Sequence, residues 1–342
     1  VTLNLTLHTS ANALDGLKPV WNDLVQRSTA NTPFSTWEWQ TAWWAAYHPG
    51  SLWIVTCEND AGKLVGAAPC FIEEADSGKR TLRFIGHVDV TDYMNLIVDT
   101  DEQEVVYQQL AAYLCEQHDT AFDAIGLANI PEDSPTYTHF PDVLREQGFE
   151  VNFEENDVAP LIHLPQSYDA YLKDILDSKQ RKEAKRKMRR AEGGEYEVAW
   201  YIVGPNHDLA EESERFLKLM ASADAEKAEF LQNEQHVDFF NRIVPLANDA
   251  GWLQLMFLTI DGTACAAYFN FDYNNRIYVY NSGLDPDNYG ALSPGIVLTQ
   301  YAIQHAIEQG RAVFDFLRGN ETYKYLMGGS DTHVYQLNAA KN

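Results

Sequence analysis

Three strands, a helix and one short apolar strand follow each other in the C-terminal third of the chain, and that order leaves few folds open. Gly251 to Leu258 alternates apolar residues, Asp261-Gly262 is a strong hairpin turn, and Thr263 to Asp272 continues as the partner strand. Tyr273-Asn274-Asn275 turns into a third strand, Arg276 to Ser282, which completes an antiparallel meander. Ser293-Pro294 then predicts a helix start, with serine at the N-cap and proline at the first helical position. Ile296, Val297, Tyr301, Ala302 and Ala306 keep a helical period until Gly310. Ala312 to Leu317 is short and almost fully apolar, as expected of a buried strand parallel to its predecessor. Two amphipathic helices, Leu209 to Ser222 and Glu234 to Ala250, precede the meander.

The N-terminal half repeats this order in weaker form. Ala13 to Gln26 and Trp37 to Tyr47 read as helices, and Leu52 to Glu58 with Lys63 to Glu73 as a hairpin around Ala61-Gly62. Arg83 to Val98 reads as extended, Glu102 to His118 as a helix and Ala121 to Ala128 as a strand. No residue-level repeat joins the halves, so the duplication rests on element order. Between them Tyr168 to Ala191 reads as one helix or two in sequence, ended by Gly193-Gly194. The expected division is therefore 1–165, a connector at 166–195, and 196–342. The fold class is α/β of the α+β kind: tandem domains, each a mixed, mostly antiparallel sheet flanked by helices.

Composition narrows the function classes. A chain of 342 residues with 45% hydrophobic content suits two full-sized cores. No run approaches the ~20 apolar residues of a membrane span, and Val1 to Gly16 has no signal-peptide pattern. Cys57, Cys70, Cys115 and Cys265 are scattered among apolar neighbours without metal-type spacing, as reduced thiols of a cytoplasmic protein would be. His8, His48, His87 and His118 are dispersed, and no GxSxG, HExxH or Walker-type motif occurs; no metal is expected. A net charge of −25 argues against non-specific nucleic-acid binding and is also compatible with a high-salt habitat. Yet eight Lys or Arg fall between Lys179 and Arg190 against one acid, Glu183. Lys185 and Arg186 there are candidate contacts for an anionic substrate, a solvated arm and a membrane-surface contact being the alternatives.

Two segments can carry chemistry. In Asn288 to Gly295 a strand end meets a helix start, where free N–H groups and the helix dipole favour an anion. Gly290, Ser293 and Gly295 are the candidate donor-binding residues there. In Phe314-Asp315-Phe316-Leu317-Arg318-Gly319, Asp315 sits within an apolar strand and needs a cation or N–H partner, Arg318 being the nearest in sequence. Lys324 follows, within reach of a developing oxyanion. In the N-terminal half, Asp89, Asp92 and Tyr93 interrupt an extended segment and suggest a bulge, a cleft lining or a solvent loop. Trp37, Trp39, Trp43, Trp44 and Tyr47 stand at helical spacing, which predicts core, with an acyl-chain wall as the alternative.

The run Ser293-Pro294-Gly295, the helix to Gly310, and Phe314 to Gly319 with Tyr323-Lys324 resemble the GNAT-superfamily group of CelD-like acetyltransferases, which is related to the Fem peptidoglycan-bridge aminoacyl ligases. The Trp37 to Trp44 helix, Asp92-Tyr93 and the basic helix resemble other parts of the same group, so the likeness spans nearly the whole chain. It implies an N-acyltransferase, with an acyl donor such as acyl-CoA or acetyl-CoA as co-substrate and an amine acceptor, in cell-envelope or polysaccharide metabolism. The loop at Gly290 to Gly295 departs from the group's Q/R-x-x-G-x-G/A pattern, which leaves acyl-carrier-protein and aminoacyl-tRNA donors open, tRNA being less favoured. A non-catalytic scaffold that binds a biosynthetic partner is the third reading. On the first, Asp315 orients or deprotonates the amine, Arg318 and Lys324 stabilise negative charge, and Asp92, Tyr93 and Tyr323 contact the acceptor.

Overall fold

The computed structural model describes residues 3–10, 12–86 and 90–341. The chain forms two compact units, Val1–Val158 with Thr332–Asn342, and Ala159–Asp331.

The first unit is built on the strands β1 (Asn4–His8), β2 (Ser51–Glu58), β3 (Leu64–Glu74), β4 (Arg80–Phe84), β5 (Ile97–Val98), β6 (Ala124–Pro131) and β7 (Glu150–Val158). Most of its pairings are antiparallel, but β4 and β6 pair in parallel across the helix Gln103–Gln117. The expected extended run from Arg83 to Val98 is only partly realised. Strand β4 ends at Phe84, and Ile97–Val98 pairs instead with β3. His87 and Asp89 lie outside the described residues. The tryptophan helix forms as Trp37–Tyr47, with Thr36 capping the N–H of Trp39. Trp39 and Trp43 are fully buried, so this helix is core.

The second unit carries β8 (Leu161–His163), β9 (Val198–Ile202), β10 (Leu253–Ile260), β11 (Thr263–Tyr273), β12 (Arg276–Leu284) and β13 (Val313–Asp315), in sheet order β8-β13-β12-β11-β10-β9. The expected meander is β10-β11-β12, turning through left-handed Asp261, Asn274 and Asn275, residues that tolerate positive φ better than most. Helix Pro294–Glu308 leads to β13, which pairs with β12 in parallel as the apolar run implied. Each sheet thus has an antiparallel set, one crossover helix and one parallel pair, which bears out the duplicated, mostly antiparallel fold class.

The division of the chain differs from the expected one in two respects. The basic segment is no separate connector. Its helix, Ser178–Ala191, starts at a capping box in which Asp177 accepts the N–H of Gln180 at 2.8 Å and the Gln180 side chain accepts that of Asp177 at 2.8 Å. Ala184, Met188 and Ala191 are buried in the second unit's core, so the helix packs along one stripe. The chain's last strand, β14 (His333–Ala340), belongs to the first unit, inserted between β6 and β7. Such a pairing is non-local, and nothing in the periodicity of residues 333–340 announces it. Leu337 is fully buried in the first core. Leu337→Ala should cost about 2–5 kcal/mol in urea unfolding, and a loss below about 1 kcal/mol would show β14 peripheral to that core.

Candidate active site

In the second unit β12 and β13 stay paired for only three residues, Arg276 to Tyr278 with Val313 to Asp315. Beyond them β12 runs on to Leu284 while the other chain turns away. Its register against β11 slips where Phe269 faces Asn281 and Asn270 faces Val279, which leaves Tyr280 as the extra residue of a bulge. A cavity of about 400 Å³ opens here, lined by Tyr268 of β11, Ser282 to Leu284 of β12, Gly290, the helix start from Ser293 to Gly295, and Tyr323.

The helix start is not capped as expected. Ser293 has φ 54° and ψ 57°, and its side chain makes no capping bond. Tyr289 is left-handed as well, at φ 56°. Two non-glycine residues in this region cost about 1 kcal/mol or more each, and the first-turn N–H groups are left without a side-chain cap. Such a terminus has the electrostatics of an anion site. Gly290 and Gly295 stand in open space: a Cβ at Gly290 would meet nothing within 4 Å, and one at Gly295 only Leu284 Cδ1 at 3.7 Å. Asp285 also lines the cavity, but its carboxylate is held by the Asn288 side-chain amide at 2.8 Å, which keeps its pKa low.

Asp315 and Lys324 take up a different position from the one expected of them. Asp315 is fully buried. Its Oδ2 accepts from Arg276 Nη1 at 3.1 Å and its Oδ1 from the N–H of Leu317 at 2.8 Å, so a required cation is supplied by β12. Lys324 is 2% exposed, and its Nζ donates to the carbonyls of Leu317, Arg318 and Gly319 at 3.0, 2.6 and 3.0 Å. Glu321 lies 2.9 Å from the same ammonium. The two residues therefore clamp a chain reversal that includes left-handed Leu317 (φ 59°) and Gly319 (φ 109°). A lysine held by three carbonyls has no donor left for a ligand. Arg318 is half-buried on that reversal.

Tyr323 does reach the cavity wall. Burial, with Tyr268 and Glu321 nearby, raises its phenol well above the usual value of 10. Tyr268, pushed up to about 12 by burial, is bonded to Thr299 Oγ1 at 2.7 Å. Because the Thr299 hydroxyl donates to the Gly295 carbonyl at 2.8 Å, Tyr268 must be the donor. Both phenols are thus protonated at neutral pH.

Sequence reasoning missed Ser282 and Lys227. Lys227, on the short helix Ala225–Phe230, donates to Ser282 Oγ at 2.8 Å and to the Ser282 carbonyl at 2.7 Å, 55 residues away in sequence. Burial lowers its pKa from 10.5. Since the ammonium occupies an acceptor position on Oγ, the serine O–H is left to donate elsewhere. Asp92 and Tyr93 belong to the first unit, where Tyr93 is buried against Phe34 at 5.8 Å. Lys185 and Arg186 lie on the basic helix, Arg186 paired with Glu183 at 2.6 Å. Among the described residues no group of three or more His, Cys, Asp or Glu is placed to hold a metal, and no helix is long and apolar enough to cross a membrane.

Residues 178–325, which include the strand opening and the crossover-helix start, match the acetyltransferase (GNAT) domain family. That match lies within the second unit, and the chain as a whole is a mixed α/β fold with two mostly antiparallel sheets. Its fold is similar to that of FemX, at a TM-score of 0.66 and 10% identity over 97% of this chain and 96% of that one. It is also similar to the C-terminal domain of a putative lysylphosphatidylglycerol synthetase from Agrobacterium fabrum (TM-score 0.55, 10% identity, 96% and 92% covered). A conserved protein of unknown function from Bacteroides thetaiotaomicron gives 0.58 at 11% identity over 99% and 100%. No curated protein sequence matches.

If Lys324 is a clamp, Lys324→Met should lower stability by about 3 kcal/mol, because it strands buried carbonyls. Unchanged stability with lost turnover would return Lys324 to the chemistry.

Proposed function

We propose that the cavity holds an acyl thioester, on coenzyme A or an acyl carrier protein, and that its acyl group passes to an amine. The observation that carries this reading is the uncapped helix start beside the strand opening. It offers backbone N–H groups to a carrier's phosphates at one end of an apolar cleft.

The chain's residues divide the work as follows. Lys227 holds Ser282 so that its O–H donates into the cavity, toward the carbonyl oxygen that gains charge as the amine attacks. Tyr323, protonated and lining the same space, gives a proton to the departing thiolate and takes one back from the attacking nitrogen, which sheds it as the amide forms. Tyr268 and Thr299 fix the wall against which the acyl chain lies. Asp315 and Lys324 act at one remove, by holding the strand end open. The sequence-based assignment of Asp315 as the base is set aside on this reading, since its oxygens are engaged in the core; the amine gives up its proton to water before attack.

An aminoacyl carrier RNA is the second reading, favoured by the exposed cations of the helix Ser178–Ala191. Turnover with a panel of acyl-CoA thioesters, set against aminoacyl-tRNA, separates the two.

Three outcomes follow for the thioester reading. Ser282→Ala should lower kcat by about 10²-fold, as loss of one oxyanion donor does; an unchanged kcat contradicts that role. Gly295→Val should fold normally, because its side chain enters open space, yet weaken donor binding at least about tenfold in a thermal-shift titration. Unaltered donor affinity would place the donor elsewhere. The pH profile supplies the third. Protonated Lys227 is needed, and burial lowers its pKa, so activity should fall as pH rises through a value below 10.5. Lys227→Met should be slow at every pH and lack that limb, and a limb retained in this variant would belong to another group.

A further inference from the structure

The helix Ser178–Ala191 does not spread its positive charge evenly. Arg181 is turned onto the carbonyls of Leu172 and Lys173, at 3.4 and 3.1 Å. Arg186 and Lys187 share Glu183, at 2.6 and 3.8 Å. Lys182, Lys185 and Arg189, three and four residues apart on one helical face, make no ion pair among the described residues. In a chain with 50 acidic and 25 basic residues, cations without carboxylate partners at such density are unexpected. All three line a second cavity of about 570 Å³, whose floor is apolar: Leu172 and Met188 are buried there, beside the ring of Tyr168.

The polar groups of that floor are already engaged. Tyr168 donates its hydroxyl to Gln300 Oε1 at 2.6 Å, and Glu192, the carboxylate on the wall, accepts from Tyr301 at 3.2 Å. What the groove presents is a cationic rim over an apolar and aromatic base. A dianion with an apolar body satisfies both features, and a bare inorganic ion only the first.

We propose that this groove binds a phosphate ester with an aryl or alkyl body, its phosphate on Lys182, Lys185 and Arg189 and its body against Tyr168, Leu172 and Met188. The site is independent of the donor cavity and stands or falls without it.

Titration of the whole chain with phenyl phosphate and with inorganic phosphate, at low salt and without any acyl donor, tests the inference by calorimetry. Phenyl phosphate should bind at least about fivefold more tightly than phosphate, and less tightly as salt screens the rim. Lys185→Gln should weaken it about tenfold, and the triple change Lys182→Gln, Lys185→Gln, Arg189→Gln should abolish it. These side chains are exposed, so the melting temperature should hold. Arg186→Gln, on the side occupied by Glu183, should bind as the parent does, and so should Gly295→Val, whose change lies in the donor cavity. Equal affinity for the two ligands, an Arg186→Gln loss as large as that of Lys185→Gln, or a triple variant that still binds would overturn the inference. So would a short single-stranded RNA captured through these three residues when phenyl phosphate is not.

Discussion

The candidate site depends on a pairing that stops. Had β13 continued alongside β12 past Asp315, the sheet would close and the helix start at Pro294 would face a wall of backbone hydrogen bonds. Instead the N–H of Phe316 turns to the carbonyl of Pro160 at 2.9 Å, and left-handed Leu317 carries the chain away. Asp315, Arg276 and Lys324 hold that departure from both sides. Buried charge is expensive unless paired and hydrogen-bonded, and here every charged group in the clamp is. The unfavourable backbone angles at Leu317, Tyr289 and Ser293 are concentrated around the opening, where strain stored in a fold tends to serve a ligand.

The same arrangement makes β12 the strand that lines the candidate site. The bulge at Tyr280 resets its side-chain alternation just before Ser282. At Gly283 the helix Leu209–Ala223 packs so closely that a Cβ would stand 2.7 Å from Leu219 Cβ and 2.8 Å from the Met220 nitrogen. Strand, bulge and close helix together fix Ser282 between Lys227 on one side and the cavity on the other. Precision of this kind comes from packed elements rather than from loops.

Much of this is legible in the residues, and the illegible part has a physical cause. The meander, the proline-started helix and the parallel strand follow from periodicity and turn chemistry, which act over a few residues. Gly290 and Gly295 stand out for conformational freedom, and they do border open space. Asp315 needs a partner by its place in an apolar strand, but Arg276 is 39 residues away, joined to it only by strand pairing. Lys324 reads as available because burial cannot be read from one lysine in a polar run. Ser293 has the right side chain for a cap, and its left-handed backbone keeps it from capping. The insertion of β14 into the first sheet is invisible for the same reason as the Lys227–Ser282 pair: both are made by the folded chain, across long sequence separations.

On the proposed function, an acyl thioester lies against β12 and the helix start. A photoreactive acyl-pantetheine thioester, cross-linked to the protein and located by peptide mass spectrometry, tests it most directly. Adducts should form on Tyr268, Ser282 to Leu284, or Thr299, and be competed away by an unlabelled thioester. Competed labelling confined to the first unit, with none on these residues, would contradict it.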